Sequence, residues 1–311
     1  MFVFGPVPSR RLGSSLGINH IPPKHCPYSC VYCQVGRTTN LNPKRQSFFD
    51  VKIITAEVKA RIEECRQSGI PIDYLSLVPD GEPTLDLNLG TLISELKRFD
   101  LPVAVISNSS LLPSVDVQAA LLQADWLSLK IDAVLEEEWR AVNRPYGKLD
   151  FAAILAAMKE FSVRYKGLLV TETLLVEGIN DNSDSIHHLS HFLGELRPRR
   201  AYLSIPIRPP AEERVKPPSN AVLSEILRIL RQEHNFIEPL FENEEQGFLS
   251  TGDLQCNILE ITAVHPIRES ALRDMVFQSG NDWTIVEEML QEGTIVQIQY
   301  SGETFFRKTL K

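Results

Sequence analysis

Short apolar runs rich in β-branched residues alternate along this chain with stretches whose apolar residues recur every three or four positions. The runs are Ser15–Asn19, Tyr74–Val78, Val103–Ser107, Trp126–Ile131, Leu168–Leu175 and Ala201–Ile207, each of strand length. Between them, Ile54, Val58, Ile62 and Cys65 share one helical face, and Leu89–Phe99, Val115–Ala124, Phe151–Tyr165 and Asp184–Leu193 show the same periodicity. Strands that alternate with helices predict parallel βαβ units, an α/β chain with a curved or partly closed barrel sheet. Ligands of such sheets bind at the carboxyl ends of the strands. Those ends are polar here: Asp80-Gly81-Glu82-Pro83-Thr84, Ser107-Asn108, Lys130-Ile131-Asp132 and Pro206-Ile207-Arg208-Pro209-Pro210.

The pattern then changes. A proline-rich stretch, Pro209 to Pro218, precedes a helix expected over Asn220–His234. Beyond it the sequence predicts helices Leu254–Val264, Arg268–Gln278 and Trp283–Gln291, with a break at His265-Pro266, and a hairpin of Ile295–Tyr300 and Thr304–Lys308 turning at Ser301-Gly302. Three helices and a hairpin resemble a winged helix, a fold with many functions. The expected organisation is a barrel over residues 1–215, a linker and helix over 216–235, and a winged-helix-like C-terminal domain over 236–311.

Composition narrows the class. Of 311 residues, 43% are hydrophobic and 23% charged, a globular mixture that excludes fibrous or disordered chains. No apolar run approaches the roughly 20 residues of a membrane span, and Met1–Pro6 lacks a charged leader. A cytoplasmic protein with reduced thiols is the expectation. The net charge of −8 arises beyond Asn235, where 5 Lys and Arg face 13 Asp and Glu. Residues 1–49 carry six basic side chains and no acidic one. The acidic tail makes DNA an improbable partner, and the basic front favours an anionic ligand.

The strongest chemical signal is Cys26-Pro27-Tyr28-Ser29-Cys30-Val31-Tyr32-Cys33, three of the chain's five cysteines within eight residues. In a reducing compartment such a cluster reads as metal binding. Thiolates three or four residues apart can converge on one cubane, and three ligands for four irons leave one iron open to a small-molecule chelate. The alternatives are a structural zinc site with a distant fourth ligand, or chance. Zinc prefers C-x2-C pairs, and no second pair is present.

The C-x3-C-x2-C motif after the first strand, the aromatic Tyr32 before its last cysteine, and Gly81-Glu82-Pro83 after the second strand resemble the radical SAM superfamily. Within it, Phe4-Gly5-Pro6-Val7-Pro8-Ser9-Arg10-Arg11-Leu12-Gly13 and Arg208-Pro209-Pro210-Ala211-Glu212 are similar to a subgroup of iron–sulfur oxidoreductases related to tRNA wyosine-base synthases. The resemblance covers about residues 1–215. It implies a (βα)6 partial barrel, a 4Fe-4S cluster on Cys26, Cys30 and Cys33, and S-adenosylmethionine (SAM) on the open iron. One-electron reduction, by a partner such as flavodoxin or ferredoxin, would then give methionine and a 5′-deoxyadenosyl radical that takes hydrogen from a substrate.

On that implication Glu82, or the backbone at Gly81 and Pro83, would hold the SAM ammonium, Tyr32 the adenine, and Ser107 and Asn108 the ribose or carboxylate. Lys130 and Asp132 would contact SAM or substrate, and Arg10, Arg11 and Arg208 an anionic substrate. Two features depart from the family pattern: Asp80 stands where it has a first glycine, and residues 1–25 lack the second cysteine set of the wyosine-base synthases. The substrate classes left open are an RNA base, a peptide or protein, and a small anionic metabolite. A cluster-based sensor acting through the tail and a simple electron carrier are the alternatives to an enzyme. Cys65 reads as core, Cys256 as isolated, and His187, His191 and Glu195 as a solvated helix face.

Overall fold

Alternation along each strand decides what the sheet covers on its two faces. Leu75 and Leu77, Val103 and Val105, and Leu127 and Leu129 are fully buried against the surrounding helices. The intervening Ala104, Trp126, Val170 and Tyr202 turn inward, where Leu12 and Leu240 join them as an apolar floor. Above that floor the lumen becomes polar, and Ser15 Oγ lies 2.6 Å from Ser76 Oγ. A barrel closed at one end by apolar side chains and polar at the other is the result.

The computed structural model describes residues 2–241, 253–264 and 266–309. Its principal sheet has eight strands in chain order: β1 Val3–Ser9, β2 Gly13–Ile18, β3 Tyr74–Leu77, β4 Val103–Ser107, β5 Trp126–Lys130, β6 Leu168–Leu174, β7 Arg200–Ser204 and β8 Ile237–Leu240. Strand β1 runs antiparallel to β2, and every other neighbouring pair is parallel. The crossovers are α1 Val51–Gln67, α2 Leu89–Leu96, α3 Val115–Leu121, α4 Glu136–Asn143, α5 Phe151–Arg164, α6 Ser183–Leu196 and α7 Asn220–Glu233. Asp50, Asp150, Asn182 and Ser219 cap α1, α5, α6 and α7 with their side chains, which satisfies N–H groups that a helix start leaves open. Cys65 is fully buried on α1, as its position on the apolar face implies.

Six of these strands match the predicted runs to within three residues at either end. The expected count is corrected to eight. Strand β1 carries two prolines, which weaken any strand signal, and it survives as an edge strand. Strand β8 pairs in parallel with β7 from Ile237↔Ala201 to Leu240↔Ser204, so the boundary expected at residue 236 falls before a barrel strand. Arg10 Nη2 donates to the Leu240 carbonyl at 3.3 Å and ties the β1–β2 turn to this last strand. Helix α4, unmarked in the sequence because its first turn is all glutamate, is held by the buried Trp139, Val142 and Asn143.

Residues beyond 253 form a separate core. Helices α8 Leu254–Val264, α9 Glu269–Gln278 and α10 Thr284–Gln291 pack on a three-stranded antiparallel sheet of β9 Ile267–Arg268, β10 Ile295–Tyr300 and β11 Glu303–Lys308. Of the expected His265-Pro266 break, His265 lies outside the described residues. The module rests on the barrel: Val7 packs into its core, Tyr300 Oη donates to the Pro206 carbonyl at 3.1 Å, and Arg61 pairs with Glu260 at 3.5 Å. Among the described residues no helix is long and apolar enough to cross a membrane.

Trp126 is the largest side chain of the lumen floor and is 2% exposed. Trp126→Ala is expected to lower stability by about 3–5 kcal/mol, the cost of emptying a packed aromatic site. Urea unfolding would show it as a lower midpoint, and an unchanged midpoint would contradict a packed floor.

Candidate cofactor site

The cysteine loop leaves the carboxyl end of β2 and is pinned from two sides. On one side Glu82 N donates to the His25 carbonyl and Lys24 N to the Asp80 carbonyl, both at 3.0 Å. On the other, Ser29 N donates to the Asn143 carbonyl at 3.0 Å, Val31 N to the Val142 carbonyl at 2.9 Å and Tyr146 N to the Pro27 carbonyl at 2.8 Å. The first seam explains Gly81: a Cβ built there would stand 2.1 Å from the His25 carbonyl oxygen. Only glycine lets the two backbones meet.

Three donors point at sulfur. Asn108 Nδ2 lies 3.2 Å and Tyr28 N 3.4 Å from Cys26 Sγ, and Asn143 Nδ2 lies 3.3 Å from Cys30 Sγ. Burial pushes all three thiols up, Cys30 to about 12 with Asp132 adding to it. Thiols that become metal ligands release their protons on binding, and N–H donors then stabilise the sulfur charge. Soft donors with sulfur-directed amides fit an iron–sulfur cluster. Among the described residues no three His, Cys, Asp or Glu side chains are grouped to hold a single metal ion. That includes the His187, His191 and Glu195 face, where Glu195 pairs with Lys159 at 2.6 Å.

Glu82 is 2% exposed and takes four donors. Thr84 N at 3.1 Å, Thr84 Oγ1 at 2.6 Å and Ser107 Oγ at 2.7 Å reach Oε1, and Asn108 N reaches Oε2 at 2.8 Å. The Glu82 side chain therefore binds the ends of β3 and β4 together, with Pro83 opening a short 3-10 turn behind it. Ser107 is buried on Glu82, whereas Asn108 reaches the cysteine loop. Tyr32 Oη donates to Asp132 Oδ2, and the Lys130 ammonium lies 5.0 Å from the centre of the Tyr32 ring. Asp132 also accepts from Asn143 Nδ2 at 2.7 Å and Leu174 N at 2.9 Å.

Lys130 lies 3.6 Å from Asp132 and 3.4 Å from Glu172, and Glu172 also pairs with Arg11. Burial pushes the Glu172 carboxyl up, but Arg11 and Lys130 outweigh it and hold it at about 2. Burial likewise opposes the Lys130 charge, yet Asp132 and Glu172 keep its pKa above the ordinary range. A chain of alternating charge thus crosses the polar lumen from Arg11 to the Cys30 side. The three arginines expected to share one ligand are distributed: Arg11 engages Glu172, Arg10 the last strand, and Arg208 is buried after β7.

Three residues at this rim carried no motif. Asn143 ends a helix without a pattern. Glu172 was visible in principle, as one carboxylate inside the apolar run Leu168–Leu175. Lys24 is 7% exposed, with backbone φ of 65° and no hydrogen-bond partner for Nζ among the described residues. Burial lowers its pKa, which Cys33 opposes and Arg307 of β11 reinforces, so the C-terminal module brings a cation to the cysteine loop.

Gly81→Ala is expected to displace the cysteine loop, so that anaerobic reconstitution yields less than about half the iron per chain of the wild type, read by iron assay. A full complement would contradict the tight seam. Glu172→Gln removes the one carboxylate between Arg11 and Lys130 and is expected to cost about 3–5 kcal/mol, as for breaking a buried pair. Chemical denaturation reads it, and a loss below about 1 kcal/mol would show that the lumen network does not bear on the fold.

A family model described as the radical SAM superfamily matches residues 21–189. The UPF0026 protein MJ1312 of Methanocaldococcus jannaschii is 43% identical over 310 residues, 99% of this chain and 96% of that one. Among solved structures, a radical SAM methyltransferase from Sphaerobacter thermophilus gives a TM-score of 0.55 at 16% identity, covering 75% of this chain and 67% of that one. TYW1 with a lysine–pyruvate adduct bound gives 0.55 at 14% identity, covering 71% and 75%. Identities this low show likeness of fold. The family match spans the cysteine loop and four of the strands that end at it, and the chain belongs to the radical SAM superfamily, enzymes that use a 4Fe-4S cluster and S-adenosylmethionine.

Proposed function

We propose that Cys26, Cys30 and Cys33 hold the 4Fe-4S cluster and that SAM lies across the rim beside it, as the start of hydrogen abstraction from an organic substrate. The observation that carries this reading is the set of amide donors directed at Cys26 and Cys30 beside the Gly81 seam. When bound, the cluster supplies the electron that cleaves SAM to methionine and a 5′-deoxyadenosyl radical.

The protein's part is orientation and exclusion of water. Three of the four donors to Glu82 end on Oε1 and one on Oε2, so the SAM ammonium is taken by Glu82 Oε2 together with the backbone at Gly81 and Pro83, and the buried carboxylate charge favours it. Asn108 joins the cysteine loop to the carboxyl end of β4 and lies where a ribose or carboxylate could reach it. Ser107 acts through Glu82 as a positioning residue. Lys130 covers the ring of Tyr32, which packs against Val31 and Val142 and supplies the aromatic edge that adenine would meet. Asp132 orients Tyr32 and Asn143 together.

The substrate reading follows from charge. The tail's 13 acidic against 5 basic residues disfavour a tRNA phosphate backbone, so a peptide or small metabolite fits better than an RNA base. The C-terminal module has the helix and hairpin order of a winged helix. Its helix α10 carries Glu287 and Glu288 and no Lys or Arg, which argues against DNA readout, and no observation favours the sensor reading. A flavodoxin- or ferredoxin-type reductant completes the reaction.

The test is anaerobic reconstitution, reduction with dithionite and addition of SAM. Methionine and 5′-deoxyadenosine are expected in equal amounts by chromatography. Cys30→Ala is expected to lose cluster absorption and to drop product to background. An intact four-iron cluster that yields no 5′-deoxyadenosine would overturn the reading.

A further inference from the structure

After β7 comes Arg208-Pro209-Pro210-Ala211-Glu212, a run to which the cofactor site gives no work. Its two prolines fix φ and stiffen the chain on its way to the cysteine loop. Glu212 N donates to the carbonyl of Val31, between Cys30 and Cys33, at 3.0 Å. Val215 is 2% exposed and packs with Val31, Val142, Leu174 and Val176. The Lys216 carbonyl then accepts from Glu177 N at 3.0 Å.

The Glu212 carboxylate is 11% exposed, and one of its oxygens takes two guanidiniums. Arg144 Nη1 donates to Oε1 at 2.7 Å, and Arg37 Nε lies 2.9 Å from the same atom. Arg144 ends α4 with a left-handed φ of 45°, which a non-glycine residue keeps only where its surroundings impose it. Arg37 follows the turn out of Cys33, in which Gly36 N donates to the Cys33 carbonyl at 3.0 Å. Glu212 therefore joins the end of α4, the stretch after β7 and the exit of the cysteine loop.

The seams at Gly81 and at Val142 fasten the loop around Cys26 and Cys30. Cys33 lies beyond both, and its own backbone bonds are local turns, to the Cys30 carbonyl at 3.1 Å and from Gly36 N. A ligand set holds its geometry only if each member is supported from behind.

We propose that residues 208–216 form a strap that supports Cys33, with Glu212 as the positioning residue that fixes the loop exit through Arg37 and Arg144. The strap's purpose rests on the reading of Cys33 as a cluster ligand, but the contact can be tested without a cluster.

Cluster-free, full-length protein is treated with iodoacetamide, and the labelling rate of each cysteine is read by peptide mass spectrometry. Glu212→Ala is expected to raise the Cys33 rate about ten-fold, as for the loss of two charge-assisted bonds. The Cys26 rate is expected to change less than about two-fold, because the Gly81 seam is untouched. Glu212→Gln keeps an acceptor for both arginines and should fall between the wild type and Glu212→Ala. Arg37→Ala, at a side chain 72% exposed, removes one of the two bonds and should raise the Cys33 rate about three-fold. It reads the same contact should Glu212→Ala fail to fold. On reconstituted protein, Glu212→Ala should release iron to excess chelator about ten-fold faster than the wild type. An unchanged Cys33 rate, an equal rise at Cys26 and Cys33, or iron release at the wild-type rate would overturn the proposal. Labelling of cluster-free protein does not depend on SAM cleavage, so this inference and the radical reading can fail separately.

Discussion

The rim depends on one backbone contact, in which the chain at Gly81 lies against the carbonyl of His25 one residue before the first cysteine. A loop from Ile21 to Asn42 has little hydrophobic core of its own, and ordering it costs conformational entropy. The contact, with Glu82 N donating across it, fastens the loop to the end of β3. The backbone bonds to Val142 and Asn143 fasten it to the end of α4. Three sulfurs are thereby set on rigid elements, which a site needs if its geometry is to be held.

Around that contact the polar residues form two groups with different work. Glu82, Ser107 and Asn108 tie together the ends of β3 and β4, and the buried Glu82 charge is accommodated by four hydrogen bonds. Arg11, Glu172, Lys130 and Asp132 form a charge chain through the lumen. It holds Tyr32 and Asn143 beside Cys30 by electrostatics that solvent barely screens. The barrel interior is thus largely filled by its own side chains, apolar below and ionic above. The C-terminal module is built against this arrangement and reaches the rim with Tyr300 and Arg307.

Much of this was legible in the residues. Strand runs such as Val103–Ser107 read correctly because alternate side chains are buried on both faces, and the cysteine spacing is dense in chemistry. Gly81 and Glu82 were legible as a motif, but their physical roles were not: the glycine answers to a carbonyl 56 positions away, a contact that only the folded chain reveals. Strand β8 was hidden because four residues around Pro239 carry little periodicity, and α4 because its amphipathic face is short and begins with three glutamates. Arg11 stood out by its position just before β2. The partner that claims it, Glu172, lies 161 residues away, and no local pattern joins the two.

The central claim is that the three thiols hold a cubane with one iron open to SAM. Electron paramagnetic resonance of the dithionite-reduced, reconstituted protein with and without SAM tests it most directly. The account predicts a 4Fe-4S signal whose g-values shift when SAM is added, as the ligand set of one iron changes. A signal that stays the same at saturating SAM would contradict it.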